Sequence, residues 1–422
     1  MLNRSIGKWA MVLLIINGVI GSGIFGLPAK VFKETGVYSI AAFLVCAVAV
    51  FVIILCFAEV SSRFDQTGGP YLYALSSFGP LPAFLTGWLL LLTRIITYAA
   101  LINLLVSYLS VFAARLASQE SRVIIIILFT LLLAYLNHIG IRKSTRINNF
   151  LTIAKLLPLL LFIAAGFFFI EPGRYEIKHI PDFSSFSSTV LLLVFAFGGF
   201  ESVLVNSGEV KNPGKNLPFA LLFATLIIAS IYILIQIVSI GILPTLASAE
   251  KPLAEAAGLF MGKTGAALIA AGAFFSVAGT LNAIMLVGSR LPFAFSQEKQ
   301  FPKLFSFIHP EYKTPTWSLI LFTGITILVS LNYSFLSAAS LSAVTRVMIY
   351  GIVCSTLIIL RKKNTSQSNF YKLKYGRLVA AAGILITLWL LSNSNLNELR
   401  DIGLAILGGL AIYGLMEWRK EK

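Results

Sequence analysis

The chain has 422 residues, 58% hydrophobic and only 12% charged, so its polar residues are too few to coat a soluble globule of this size and lipid must act as solvent. Its formal net charge of +16 does not indicate nucleic acid, because the basic residues sit in short loops and form no extended basic face with interleaved aromatics. Cys46, Cys56 and Cys354 lie within apolar segments without metal-type spacing, which makes them small packing residues and excludes a disulfide or zinc framework.

In chain order, apolar runs predict about twelve transmembrane helices of an all-α integral membrane protein, one domain over 1–422. The expected spans are 9–32, 38–60, 81–113, 122–139, 149–170, 187–209, 217–242, 265–295, 316–333, 335–360, 377–393 and 400–418. Most are long enough to cross about 30 Å of hydrocarbon, and a porin-like barrel would show shorter alternating segments instead. The segment before helix 1, Met1 to Lys8, has no small-residue cleavage site after it, so no removable signal peptide is expected.

With a cytoplasmic N-terminus, about 20 of the 33 Lys and Arg residues fall on the inner side and about 9 on the outer. That asymmetry supports a multi-pass protein of the cytoplasmic membrane with both termini inside. The densest inner cluster is Arg361-Lys362-Lys363 with Lys372, Lys374 and Arg377. It reads as an orientation signal, or as a site for anionic membrane lipids. The longest loops, near 171–186, 243–264 and 296–315, are too short for a soluble domain, so function must reside inside the helix bundle.

Two helices are interrupted near mid-span, helix 1 at Gly21-Ser22-Gly23 and helix 6 at Gly198-Gly199, followed by Glu201. Clustered glycines permit unwinding, and unwound backbone in lipid is tolerated only where it faces protein or a wet cavity. Corresponding breaks in two halves of five helices point to an inverted-repeat transporter with its site at the midplane; close packing through small residues is the plainer alternative. Freed amides near Ser22, Gly23 and Ile24 sit at a positive dipole end and suit a carboxylate. Freed carbonyls near Val19, Phe195 and Gly198 suit an ammonium group, so the two sets together suit an α-amino acid.

Four stretches, GSGIFGLP from Gly21, FAEVSSRFDQTGGPYLY from Phe57, FAFGGFESVLVNSGEVKNPGKNLP from Phe195 and LNAIMLVGSRLPFAF from Leu281, resemble the amino acid-polyamine-organocation family of permeases. That family shares its fold with the bacterial leucine transporter. The resemblance implies helices 1–5 (9–170) and 6–10 (187–360) as inverted repeats, with two extra helices over 377–418. It implies carboxylate binding by Ser22 and Gly23, with Gly21 and Ile24 beside them, and ammonium binding by the carbonyls of Val19, Phe195 and Gly198. Phe195 or Phe200 would be an aromatic lid. Glu59, Arg63, Glu209 and Lys211 would form inner-gate ion pairs. The family's basic-acidic-glycine pattern after helix 8 is replaced here by Ser296-Gln297-Glu298-Lys299-Gln300.

Lys155 lies too deep in helix 5 to be a snorkelling terminus. In sodium-independent members of the resembled family a lysine at the matching place stands where sodium sits in sodium-coupled relatives, bridging helix 1 and a helix 8 serine, here Ser276. The implied role is proton coupling, or a permanent link in exchangers; Glu201 joins these two as a coupling candidate. Arg94 and Arg346 are also deep and stay charged. Either one contacts an acidic substrate side chain or both cap the broken helices and pair internally.

No phosphate loop, cofactor site or enzyme motif is present in the sequence. The expected function is therefore secondary active transport of amino acids, sodium-independent, with protons or a counter-substrate as the driving partner. A polyamine or organic-cation transporter, a channel and a non-transporting amino-acid sensor of the same fold are the alternatives.

Overall fold

The computed structural model describes residues 6–64, 68–139, 145–177, 179–204, 210–363 and 370–420. Helix 1 is two pieces, 1a (Lys8–Val19) and 1b (Gly23–Thr35). It is followed by helix 2 (Ser39–Ser62), helix 3 (Pro80–Leu109), helix 4 (Gln119–His138) and helix 5 (Thr145–Gly166). Helix 6 is again two pieces, 6a (Phe183–Phe197) and 6b (Phe200–Leu204). Helices 7 (Pro213–Ile242), 8 (Pro252–Gly288), 9 (Thr316–Asn332), 10 (Phe335–Lys362), 11 (Gly376–Leu391) and 12 (Leu396–Lys420) complete the set.

Local chemistry explains where these helices start. Proline opens helices 3, 7 and 8 at Pro80, Pro213 and Pro252, a position where its missing N–H costs nothing. Asp182 and Ser334 cap helices 6 and 10, accepting the amides of Ser185 and Ser337. Large apolar side chains such as Leu128, Leu157, Leu328 and Leu385 remain exposed on helices 4, 5, 9 and 11, as expected of surfaces that face lipid.

Two stretches differ from the sequence expectation. Pro70–Phe78 forms a short helix before helix 3, and helix 8 begins at Pro252 rather than near 265. Gly262 and Lys263 interrupt the apolar pattern there and read as loop, but Gly262 takes φ +65 and turns a corner between two helical pieces, a conformation open to glycine.

Packing follows a repeating rule. Helix 2 packs on helix 7; helix 3 on helix 10 and helix 8 on helix 5; helix 1a on helix 7 and helix 6a on helix 2; helix 9 on helix 3 and helix 4 on helix 8. Each pair maps onto its counterpart when helices 1–5 are exchanged for 6–10. Five crossings separate the halves, so the second runs through the membrane in the opposite sense, a 5+5 inverted repeat with discontinuous helices 1 and 6 at its centre. The end of the bundle where helix 1 begins is called the N-terminal face below.

Candidate substrate site

The two breaks touch each other. A Cβ added to Gly199 would lie 2.3 Å from the Gly18 carbonyl oxygen, and Gly199 has φ +122, so this contact requires glycine twice over. Gly23 similarly backs onto helix 6a, where an added Cβ would lie 2.6 Å from Ala196 Cα.

The backbone groups freed at the breaks are of opposite kinds. Around helix 1 the amides of Gly21, Ser22, Gly23 and Ile24 meet no backbone acceptor, the first bonds of helix 1b being those from Phe25 and Gly26 to the Ser22 carbonyl. The Ser22 hydroxyl is buried without a partner. Around helix 6 the carbonyls of Phe195 and Gly198 receive no backbone amide. Both breaks thus leave unpaired backbone groups among the described residues, and those of complementary kind include the amides of break 1 and the carbonyls of Phe195 and Gly198.

Several other break carbonyls are held by side chains from outside. Lys155 Nζ donates to the carbonyls of Asn17 (2.7 Å) and Ile20 (2.6 Å), and the Ser276 hydroxyl donates to Ile20 at 3.3 Å. Helix 5 and helix 8 therefore meet at the end of helix 1a. Tyr232 of helix 7, unnoticed in the sequence, donates to the Ala196 carbonyl at 3.1 Å and lies 3.5 Å from that of Val19. Nothing in its local sequence, an apolar helix, marks it.

Below the helix 6 break lies a buried charge cluster. Glu201 is fully buried and forms an ion pair with Arg346. Its second oxygen accepts the Gly199 amide at 2.8 Å and the Tyr350 hydroxyl at 3.3 Å. Arg346 also donates to Thr97 (3.1 Å) and Ser342 (3.3 Å). Arg94 approaches the same Glu201 oxygen at 3.9 Å. Ser342, Arg346 and Tyr350 are spaced four residues apart and so share one helical face, a signal that could have exposed this cluster from sequence.

A cavity of about 170 Å³ joins these features. Val19, Gly21, Ser22, Gly23, Phe195, Gly198, Arg94 and Arg346 line it, with Thr97, Leu101 and Thr280. Ile24 and Phe200 are not among the lining residues; Phe200 stacks on Tyr350 and meets Phe57 edge-on. On the side away from the N-terminal face, the lining residue Phe195 packs edge-on against Phe335, and the Tyr108 hydroxyl donates to the Phe25 carbonyl at 2.7 Å. The partly exposed lining residues, including Asn17, Ser202, Val203, Ala283 and Val287, all lie in the half nearer the N-terminal face. The cavity opens that way.

Of the four expected gate residues, the structure unites two. Buried Glu59 pairs with Arg63 and also with Arg361, and accepts the Leu373 amide at 2.9 Å. Arg361, read from sequence only as part of a basic cluster, thus ties helix 2 to the segment before helix 11. Lys211 stands elsewhere, its amide bonded to the Ile6 carbonyl, and Glu209 lies outside the described residues.

The comparisons agree with this architecture. The chain is 30% identical over 437 residues to the serine/threonine exchanger SteT of Bacillus subtilis, covering 99% of this chain and 98% of the relative. It is 28% identical to the branched-chain amino acid permease BcaP of the same organism (100% and 94% covered) and 29% to its methylthioribose transporter (92% and 88%). These relatives are permeases and transporters, not enzymes. The crystal structure of MhsT in complex with L-phenylalanine superposes with a TM-score of 0.67 over 94% of this chain and 100% of that one, at 12% identity, a likeness of fold. The sequence profile described as amino acid permease matches residues 6–406; this multi-pass membrane protein belongs to the amino acid permease family.

Proposed function

We propose that the protein is a secondary active transporter that moves an amino acid across the cytoplasmic membrane by alternating access, independently of sodium. One observation carries this reading: the unpaired amides and buried Ser22 hydroxyl of break 1 face the same cavity as the unpaired carbonyls of break 6. A carboxylate and an ammonium on one carbon satisfy both sets at once. The named substrates of two relatives, serine/threonine and branched-chain amino acids, support an amino acid. Two lining arginines, without an acidic lining residue among the described residues, disfavour polyamines.

Lys155 occupies the place between helices 1a, 5 and 8 that a coupling cation would need, and its two carbonyl bonds support sodium independence. The coupling is then proton symport or exchange, with Lys155, Ser276 and Glu201 as the residues that connect the breaks to the scaffold. In this reading 9–170 and 187–360 are the repeats and 377–418 is accessory. The excess of basic residues on the N-terminal face makes that face cytoplasmic, so the cavity is open inward. Glu59 with Arg63 and Arg361 forms an inner latch.

Reconstitution tests the proposal. Liposomes preloaded with a mixture of unlabelled amino acids are expected to accumulate a labelled one by counterflow, equally in sodium and choline buffers. Absence of counterflow with every amino acid would overturn transport, and loss of uptake in choline would overturn the role of Lys155.

A further inference from the structure

We infer that the transported amino acid carries a second carboxylate, in its side chain, and that Arg94 binds it. The inference rests on the cavity being the substrate site and names the class of substrate. Two cations, Arg94 and Arg346, line the cavity, and among the described residues no lining residue is acidic. Arg346 is committed to Glu201, Thr97 and Ser342. Glu201 is committed in turn to Arg346, the Gly199 amide and the Tyr350 hydroxyl.

Arg94 is left over. It stands 3.9 Å from a Glu201 oxygen that Arg346 already occupies, beyond hydrogen-bond reach, and among the described residues its guanidinium makes no hydrogen bond. The cluster of two arginines and one glutamate therefore carries one uncompensated positive charge in a residue only 4% exposed. A buried guanidinium that shares its counter-charge with a second arginine and makes no hydrogen bond is costly, and it presents a planar fork of donors matched to a carboxylate. A neutral zwitterion brings no net charge to this cluster. A dicarboxylic amino acid brings one negative charge.

The position of Arg94 on helix 3 agrees. A Cβ on Gly21 would lie 3.9 Å from Leu101 Cδ2, so the helix 1 break is level with Leu101 on helix 3. Arg94 precedes Leu101 by about two turns, roughly 10 Å along the helix, towards the N-terminal face. A substrate whose head group sits at the break points its side chain down this wall to the arginine.

The test is a counterflow panel on the purified wild-type protein in liposomes, using labelled L-glutamate, L-aspartate, L-leucine, L-serine and L-lysine. Glutamate or aspartate is expected to exchange and to compete at concentrations at least about tenfold below the others, the discrimination of one charge-assisted contact. Arg94→Gln is expected to raise the dicarboxylate KM about 10- to 100-fold on the same grounds, with Arg94→Lys between the two. Exchange of leucine, serine or lysine that neither dicarboxylate inhibits would overturn this inference and leave the transporter reading intact. Failure of all five, and of the full amino-acid mixture, would overturn the transporter reading itself. The wild-type panel decides the matter even if an Arg94 variant fails to fold.

Discussion

Helices 1 and 6 face the same physical problem, an unwound stretch in the middle of a membrane protein, and solve it differently. Break 1 is stabilised from elsewhere in the chain: Lys155 and Ser276 take its carbonyls and its amides stay free. Break 6 is stabilised locally: Glu201, two residues away, takes the Gly199 amide, and the carbonyls of Phe195 and Gly198 stay free. Each solution leaves unpaired backbone groups, and the amides left at break 1 are complementary to the Phe195 and Gly198 carbonyls left at break 6. The zwitterion site we propose rests on how each break is propped.

Removing the props should break this comparison in order of severity. Glu201→Gln leaves both arginines buried without a counter-charge, and a loss of about 3–5 kcal/mol in stability is expected, visible as a collapse in the melting temperature of detergent-purified protein. A wild-type melting curve in that variant would mean the cluster is not the prop of break 6. Lys155→Met removes the ammonium bonds to the Asn17 and Ile20 carbonyls and leaves Ile20 the Ser276 hydroxyl, with an expected cost of about 1–3 kcal/mol and loss of counterflow. Retained counterflow with normal stability would remove Lys155 from the mechanism.

Two milder substitutions sharpen the distinction between lining and packing. Phe200→Leu should cost about 1 kcal/mol through its lost contacts with Tyr350 and Phe57, with KM unchanged because Phe200 does not line the cavity. A raised KM with normal stability would restore it as a lid. Ser22→Ala removes a hydroxyl that has no partner among the described residues, so melting should not fall. Substrate KM should rise by a modest factor, about fivefold for a lost bond of roughly 1 kcal/mol. Reduced stability with unchanged KM would show that the hydroxyl serves the fold.

Sequence revealed what composition and periodicity encode: twelve apolar helices, the glycine breaks, and three charges too deep for lipid. Lys155 was legible as one of those deep charges, and its pairing with Ser276 only through the family resemblance. Tyr232 was invisible because a tyrosine in an apolar helix looks the same whether it packs or donates, and only the approach of helix 7 to both breaks gives it an acceptor. Arg361 was hidden for the opposite reason. Among neighbouring lysines it looked like bulk charge, and its pairing with Glu59 depends on three hundred residues of intervening chain folding back. Arg94 and Arg346 could not be told apart until Glu201 was seen to choose one of them.

The contact between Ile6 and Val210 is the smallest feature described, a parallel bridge closed by the Lys211 amide on the Ile6 carbonyl at 2.9 Å. It bolts the leading edge of helix 1a to the segment that feeds helix 7, the helix on which 1a already packs. Helix 1a therefore cannot peel outwards alone while this bolt is shut: it must either drag helix 7 as a rigid partner or release one amide first. Solvent exchange at the Lys211 amide would report which of these occurs in each turnover.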